Sequence, residues 1–189
     1  MRIIAGRLRG TKLLAPKTKT IRATSSRLRE TIFNVLVHHG KNLVHGATAL
    51  DLFAGTGAMG IEAISRGARF CVFVDNSKEG YSIIQDNLMR LGLIKLSQVW
   101  QQDATNLKYP STILFDLVFI DPPYRTNLVE ASLLCLTKYK CLNKGATVVI
   151  EKTKSSSPNI PPCFKPLDIR KEGRSFAHIF RYVIDDHSI

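Results

Sequence analysis

Residues 115–124 read Phe-Asp-Leu-Val-Phe-Ile-Asp-Pro-Pro-Tyr, an apolar run that ends at a carboxylate, two prolines and an aromatic ring. The apolar part is rich in β-branched and aromatic side chains, which is typical of a strand buried on both faces. Pro122 and Pro123 lack an N–H and fix φ, so they end the strand in a stiff turn. We expect this turn to point Asp121 and Tyr124 outward from the carboxyl end of a sheet, where ligands bind in open α/β folds.

The turn places hydrogen-bond acceptors beside an aromatic ring, which suits a flat substrate that carries an NH2 group. The Asp121 carboxylate and the Pro122 carbonyl could accept both amine protons while Tyr124 stacks on the ring. Such an amine is a poor nucleophile because its lone pair is delocalised, and fixed acceptors favour the pyramidal nitrogen of the transition state. On this stretch alone, a plain strand-to-helix turn with an exposed tyrosine is an equal alternative.

Strands and helices alternate on both sides of this run, which predicts an α/β protein with a doubly wound parallel sheet. A first helix is expected within 22–39, capped by Ser25 or Ser26, because apolar residues recur there at helical spacing. The remaining predicted strands are 47–53, 70–74, 97–101, 117–120 and 146–151, with helices at 61–66, 77–91 and 128–138. Two closing strands, 166–170 and 176–184, are expected to form a hairpin through 172–174.

A glycine-rich loop follows the first of these strands. Gly55, Gly57 and Gly60, with Asp75 about twenty residues on, match the dinucleotide-binding fingerprint, which taken literally indicates NAD. Asp51 argues against NAD, because a carboxylate just before the loop would repel a pyrophosphate. A chain of 189 residues also leaves little room for a separate substrate domain. Asp51 suits a cationic ligand instead, such as the amine of an amino-acid moiety.

S-adenosylmethionine has a chemical group that is complementary to each of these acidic residues. Its amine would meet Asp51, its ribose hydroxyls Asp75 and its adenine amino group Asp103. One acid at a strand end is an ordinary cap, but four at successive strand ends, counting Asp121, indicate a binding site. The predicted cofactor-binding residues are Asp51, Phe53, Gly55, Gly57, Gly60, Asp75, Asn76, Asp103 and Ala104.

Positive charge is concentrated at the N-terminus. Residues 1–45 hold ten of the 27 Lys and Arg but one of the 15 Asp and Glu, so they carry most of the net charge of +12. This favours a polyanionic partner, most simply nucleic acid. We expect residues 1–20 to form a basic β-hairpin on a main domain of residues 21–189. The predicted RNA-binding residues are Arg7, Arg9, Lys12, Arg22, Arg27 and Arg29.

The rest of the composition indicates an ordinary intracellular protein. The four cysteines include no Cys-x-x-Cys pair and make no metal-ligand spacing with the five histidines, so no metal is expected. No apolar run is long enough for a signal peptide or a membrane span. We expect a cytoplasmic monomer.

Two groups of residues carry a family resemblance. The run from Asp51 to Gly57, with the Asp-Pro-Pro-Tyr turn at 121–124, resembles class I methyltransferases that modify exocyclic amino groups. The N-terminal Met-Arg-Ile-Ile-Ala-Gly and the stretch 22–34 are similar to the bacterial family that methylates guanine N2 in 16S ribosomal RNA. The resemblance implies a seven-stranded sheet, S-adenosylmethionine as methyl donor, catalytic roles for Asp121, Pro122, Pro123 and Tyr124, and a guanine of the 30S subunit as target.

Three rival functions follow from the same residues. The Pro-Pro turn would serve an adenine-N6 methyltransferase acting on DNA equally well. The chain could instead be a ribosome-assembly factor that binds RNA and keeps the cofactor as a structural prop. An NAD-dependent oxidoreductase is the third, from the glycine fingerprint.

Overall fold

The computed structural model describes residues 1–15, 25–38, 40–108, 112–123, 126–153 and 158–184. Its centre is a seven-stranded sheet in the order β3-β2-β1-β4-β5-β7-β6. Strands β1 to β5 pair in parallel with one another, while β7 is antiparallel to both β5 and β6. The doubly wound seven-stranded sheet expected from the sequence is therefore confirmed.

The helices and strands follow the predicted alternation. In chain order they are α1 (Ser26–His38), β1 (Thr48–Leu52), α2 (Ala58–Ser65), β2 (Phe70–Asp75), α3 (Lys78–Arg90), β3 (Ser97–Gln101), β4 (Phe115–Ile120), α4 (Thr126–Lys138), β5 (Leu142–Thr153), β6 (Phe164–Glu172) and β7 (Ser175–Tyr182). Among the described residues, no helix is both long and apolar enough to cross a bilayer.

The structure identifies the caps of two helices and moves the predicted start of two elements. Ser25 rather than Ser26 caps α1, since its Oγ accepts from Leu28 N at 3.1 Å, and Ser77 caps α3 by accepting from Gly80 N. Helix α2 begins three residues before the predicted start. Strand β5 begins four residues before the predicted 146, because residues 142–145 extend the edge beside β4.

The sheet has a buried apolar layer on each face. Helices α1, α2 and α3 pack on one face through a cluster that includes Phe33, Ile61 and Ile84. Helix α4 packs on the other face through a cluster that includes Leu133 and Phe180. Alternate residues of each strand enter opposite clusters, as the period of two requires. The sheet is thereby fixed on both sides, and its carboxyl edge is held rigidly.

The N-terminal segment pairs with itself in antiparallel fashion, as a hairpin shorter than the predicted one. It makes one isolated antiparallel bridge, Arg2 to Lys12, with backbone hydrogen bonds on either side of it. Other N–H groups of the segment bond to α2: Ile4 N and Ala5 N donate to the Glu62 carboxylate at 2.8 and 3.0 Å. The segment is therefore attached to α2 by side chains about sixty residues away. Residues 16–20 of the expected hairpin lie outside the described residues.

Candidate active site at the carboxyl edge of the sheet

Four acidic side chains line the carboxyl edge in the order of the strands. Asp75 ends β2, Asp51 lies near the end of β1, and Asp121 follows β4 directly. Asp103 lies just beyond the end of β3. Since the strand order is β3-β2-β1-β4, the edge presents Asp103, Asp75, Asp51 and Asp121 in succession. The residues that the sequence grouped at one site thus share one edge.

Asp51 is the most deeply buried of the four, with 3% of its surface exposed. Its Oδ2 accepts a hydrogen bond from Gly60 N at 2.9 Å, at the start of α2. Burial is the main cause that raises its pKa to about 8, the Gly60 N–H opposes this, and the charges of Asp121 and Asp75 raise it further. A cation placed beside Asp51 would remove this penalty by favouring the ionised carboxylate.

Asp75 organises the loop and the helix on either side of it. Its Oδ2 accepts from Gly55 N at 2.8 Å, and its Oδ1 accepts from both the N–H and the hydroxyl of Ser77. The carboxylate therefore holds the glycine loop against the start of α3. Oδ2 has a further lone pair, so the carboxylate can still accept from a hydroxyl of a ligand.

The glycines of the loop have separate structural roles. Gly55 and Gly57 have φ of 55° and 76°, in the left-handed region that glycine adopts without steric cost. Gly60 is helical, but a Cβ there would lie 2.4 Å from Phe73 Cε1 and 2.6 Å from Cys71 Sγ. Its missing side chain lets α2 lie against β2. Phe53 also has a positive φ of 57°, an uncommon conformation for a bulky residue that often marks functional sites.

The predicted adenine end of the site lies beside β3. The Asp103 Oδ1 accepts from the N–H and hydroxyl of Thr105 at 2.8 and 2.7 Å, and the residue is exposed. Asn76 is exposed after β2, while Ala104 is 4% exposed and packs into the core. Ala104 can therefore contribute a wall beneath a ligand, and the other two side chains remain open to solvent.

The predicted catalytic turn leaves the sheet as the sequence indicated. Asp121 and Pro122 are half-buried and Pro123 is exposed. Asp51 of β1 is the register partner of Phe119 of β4, so Asp121 follows two residues further along the neighbouring strand. Tyr124 lies outside the described residues. The turn therefore presents its acceptors next to the carboxylate that suits a cation.

Most of the predicted RNA-binding cations are open to solvent. Arg7, Arg9 and Lys12 are exposed, and the Arg27 side chain is 86% exposed with its guanidinium 3.9 Å from the Glu172 carboxylate. The turn that carries Arg7 and Arg9 is bonded to the C-terminal end of α2 through Ser65 O. That end is about 12 Å, one length of α2, from the glycine loop. Arg22 lies outside the described residues.

Arg29 is a correction to the predicted set. Its side chain is fully buried and 3.8 Å from the Glu62 carboxylate, and its NH1 and NH2 donate to Met1 Sδ and Arg2 O. Burial, offset in part by Glu62, lowers its pKa. A phosphate cannot reach this guanidinium, which instead fixes the N-terminus onto α1. Its position on the apolar stripe of α1, four residues before Phe33, was the sequence signal for burial.

Asn87 is a residue of the site that the sequence analysis missed. It is 2% exposed on α3; its Oδ1 accepts from Leu14 N at 2.8 Å, and its Nδ2 donates to Leu14 O and Thr56 O. One amide thus joins the N-terminal segment to the glycine loop. A polar residue on the buried face of α3, next to Leu88 and three residues after Ile84, was the available signal.

Comparison with known proteins identifies the family of the chain. The model of the family described as Conserved hypothetical protein 95 matches residues 1–181. The chain belongs to this family. Ribosomal RNA small subunit methyltransferase D of Haemophilus influenzae is 35% identical over 165 residues, covering 86% of this chain and 83% of that protein. The protein of the same name from Buchnera aphidicola subsp. Acyrthosiphon pisum is 33% identical over 159 residues, covering 84% and 81%.

A solved structure agrees with this family assignment. The Escherichia coli protein yhhF superposes with a TM-score of 0.86 at 27% identity, covering 98% of this chain and 99% of that chain. The match includes nearly every described element. Together with the strand order, it gives this family member the class I methyltransferase fold.

Proposed function

We propose that the chain transfers a methyl group from S-adenosylmethionine to the exocyclic N2 amine of a guanine in 16S ribosomal RNA. The observation that carries this proposal is the Asp-Pro-Pro turn at 121–123, which directly follows β4, one strand from Asp51 and two strands from Asp75. The names of the relatives from H. influenzae and B. aphidicola support ribosomal RNA of the small subunit as the substrate class.

The residues at the edge fit this cofactor. Buried Asp51 suits the ammonium group, Asp75 the ribose hydroxyls and Asp103 the adenine amino group, while the loop at Gly55 and Gly57 allows close backbone approach. When bound, the cofactor supplies a methyl group on a sulfonium, which is electrophilic without a metal. An acidic rim would disfavour the pyrophosphate of NAD, so the donor set also argues against a dinucleotide.

The catalytic turn would act by positioning and by accepting hydrogen bonds. The Asp121 carboxylate and the Pro122 carbonyl accept from the two N–H groups of the guanine amine, which favours the pyramidal nitrogen needed for attack. In the transfer that this arrangement would support, the amine nitrogen would gain the methyl group, and Asp121 would accept the N–H proton that becomes acidic as nitrogen gains positive charge. The guanine leaves its stack to reach the turn, and Tyr124 is proposed as its stacking partner.

We further propose that residues 1–20 act as a basic appendage to a catalytic domain of residues 21–189. The exposed Arg7, Arg9, Lys12 and Arg27, with Arg22, would contact RNA phosphates of the 30S subunit. The enzyme is proposed to work as a cytoplasmic monomer.

Transfer of labelled methyl groups tests the proposal directly. The protein is offered S-adenosylmethionine with purified 30S particles, with protein-free 16S RNA and with duplex DNA, and the products are digested to nucleosides. We expect N2-methylguanosine from at least one RNA, with many turnovers per protein. Label in N6-methyladenine of DNA would contradict the proposal, and so would cofactor binding without any transfer.

Removal of two exposed arginines should weaken RNA binding in a salt-dependent way. In the double variant Arg7→Ala, Arg9→Ala, the slope of log affinity against log salt should fall by about 1.4 to 1.8, since each phosphate contact contributes about 0.7 to 0.9. The measurement is a salt titration of 30S binding. The double variant Lys95→Ala, Lys165→Ala removes the same charge from exposed sites elsewhere and should keep the parent slope. An unchanged slope in the arginine variant would exclude the appendage as an RNA contact.

Asn87→Ala should destabilise the fold and weaken cofactor binding together. It leaves Leu14 N, Leu14 O and Thr56 O without their buried partner, so the free energy of unfolding should fall by roughly 2–4 kcal/mol. Because Thr56 belongs to the glycine loop, cofactor affinity should fall as well. Thermal unfolding and cofactor titration measure the two effects.

Ser65→Ala is the matched control for this variant. Ser65 is 3% exposed and also fixes the N-terminal segment, since its Oγ accepts from Leu8 N and donates to Ala5 O. It lies at the end of α2 away from the glycine loop. We expect Ser65→Ala to lower stability and leave cofactor affinity at the parent value. Equal cofactor affinity in both variants would contradict a role for Asn87 in the loop.

A further inference from the structure

Strands β5, β7 and β6 carry an ordered row of side chains on the α4 face of the sheet. Lys152 of β5 is the register partner of Phe176 of β7, and Phe176 is the partner of Lys171 of β6. The next row on the same face is Ile150, His178 and Ile169. Cross-strand partners project to the same face, so a lysine lies on each side of the Phe176 ring.

The aromatic part of this surface is ordered and partly open. The Phe176 and His178 ring centroids are 6.4 Å apart at 50°, and His178 stacks on buried Phe180 at 6.3 Å and 19°. Lys171 Nζ lies 5.8 Å from the Phe176 centroid. Phe176 and His178 are half-buried, whereas Ile169 is 55% exposed. We call the surface formed by Lys152, Ile169, Lys171, Phe176 and His178 the β7 platform.

Acidic residues of the same strands lie on the opposite face. Glu151 is the partner of Ala177, and Asp168 is the partner of Ile179; both partners pack into the cluster beneath α1 and α2. Glu172, one residue after Lys171, approaches Arg27 of α1. The described acids of these three strands thus lie toward α1, where Arg170 pairs with Asp168 at 2.7 Å, while Lys152 and Lys171 lie beside the rings. An anion is therefore the complementary partner for the β7 platform.

The β7 platform begins next to the proposed catalytic turn. Ile120 is the register partner of Ile150, so Lys152 comes two residues later on β5, level with Pro122 as it leaves β4. Neighbouring strands are about 4.8 Å apart, so Phe176 and Lys171 lie one and two strands further out. By contrast, Arg7 and Arg9 lie at the far end of α2. Lys152 of the β7 platform is therefore on the strand next to the turn, and Lys171 is two strands further out.

We propose that the β7 platform binds unpaired RNA nucleotides adjacent to the target guanine, with a base on the Phe176 ring and phosphates at Lys152 and Lys171. The proposal rests on the proposed function and extends it to substrate contacts. Sheet surfaces that combine aromatic rings with cations suit single-stranded RNA, since every base offers a flat face and every phosphate a charge. A base displaced from its stack at Asp121 leaves unstacked neighbours, and the platform lies where those neighbours would emerge.

Separate variants test the stacking and charge contributions. Phe176→Leu keeps apolar volume but removes the flat ring, and we expect about tenfold weaker binding of 30S particles and of protein-free 16S RNA with an unchanged salt slope. Lys171→Ala should weaken binding and lower the salt slope by about 0.7 to 0.9. Phe176→Trp and Lys171→Arg should restore parent affinity. Cofactor affinity should equal that of the parent in all four.

Lys165→Ala is the matched charge control. Lys165 is exposed on the same strand, six residues from Lys171, and its register partner is Arg181. It should keep the parent affinity and slope. Parent-like RNA binding by both Phe176→Leu and Lys171→Ala would overturn the proposal for the platform. A loss confined to intact particles, absent on protein-free RNA, would assign the surface to a ribosomal protein and also overturn it.

The experiments distinguish failure of the proposed function from failure of the proposal for the β7 platform. If the parent transfers no methyl group to either RNA, the proposed function fails, and the binding comparison still decides whether the platform contacts RNA. If the parent transfers methyl groups and the platform variants do so with unchanged kcat/KM and affinity, the function stands and the platform proposal fails.

Discussion

Asp121→Ala should nearly abolish methyl transfer while leaving cofactor binding close to that of the parent. The half-buried carboxylate follows β4 at the edge where the amine is proposed to lie. Removing a fixed acceptor that acts on developing charge lowers kcat by roughly 10² to 10³-fold, by analogy with loss of one oxyanion-hole donor. Single-turnover transfer to RNA measures the first effect, and cofactor titration measures the second.

The Asp121→Ala variant should change cofactor affinity in a definite direction. The charge of Asp121 raises the pKa of Asp51, so its removal should lower that pKa and favour ionised Asp51. We therefore expect cofactor affinity at neutral pH to equal or slightly exceed that of the parent. Loss of cofactor affinity in step with loss of transfer would contradict the role assigned to Asp121.

Two further variants sharpen this test. Asp121→Asn keeps one acceptor oxygen without charge, so it should retain more transfer than Asp121→Ala if hydrogen-bond acceptance is what matters. Asp86→Ala removes an exposed carboxylate from α3 and should behave as the parent. Equal activity of the Asn and Ala variants would assign the effect to charge alone.

The strand ends were predictable because their determinants are local in sequence. Asp75 and Asp121 each follow a continuous apolar run that can be read as a buried strand, and parallel strands bring their carboxyl ends to one edge. The chain order of such runs then sets which acids share a site. The chain order of the strands does not predict the hydrogen bonds that Asp75 accepts from Gly55 and Ser77, because these depend on side-chain placement.

The errors concern residues whose roles depend on distant contacts. Arg29 was assigned to RNA on its charge, but Glu62, 33 positions away, provides the buried partner. The predicted N-terminal hairpin is shorter than expected, and the same Glu62 accepts from Ile4 N and Ala5 N where its pairing ends. Asn87 was missed for the same reason, as Leu14 and Thr56 are far from it in sequence.

Cofactor affinity should depend steeply on pH through Asp51. In the free protein its carboxyl has a pKa raised to about 8, while a bound ammonium group would require the ionised form. Binding below pH 8 therefore releases one proton, and affinity should rise by about tenfold per pH unit toward pH 8. Above about pH 8 it should fall again, because an α-amino group loses its own proton there.

The Asp51 carboxyl should affect the stability of the cofactor-free protein in the opposite direction: cofactor affinity rises toward pH 8, whereas the free energy of unfolding falls. Its folded pKa of about 8 exceeds the ordinary value of 3.8, so the folded state binds the extra proton between these values. Stability should therefore fall as pH rises from about 4 to about 8, and this contribution should level off above pH 8. Asp51→Asn should remove this component, which denaturant unfolding of both proteins across the pH range would measure.

Asp51→Asn should also separate the charge of Asp51 from its packing. The amide is close in size and can still accept from Gly60 N, so the loop should keep its position. Loss of the charge-assisted bond to an ammonium group should weaken cofactor affinity roughly 10- to 100-fold at pH 8 and remove the rise below pH 8. Asp86→Asn, with the same change at an exposed site, should keep the parent profile.

Calorimetric titration in buffers of different ionisation enthalpy would count the proton that is released when the cofactor binds. Parent affinity independent of pH between 6 and 8, with no proton release, would mean that Asp51 does not meet the cofactor amine.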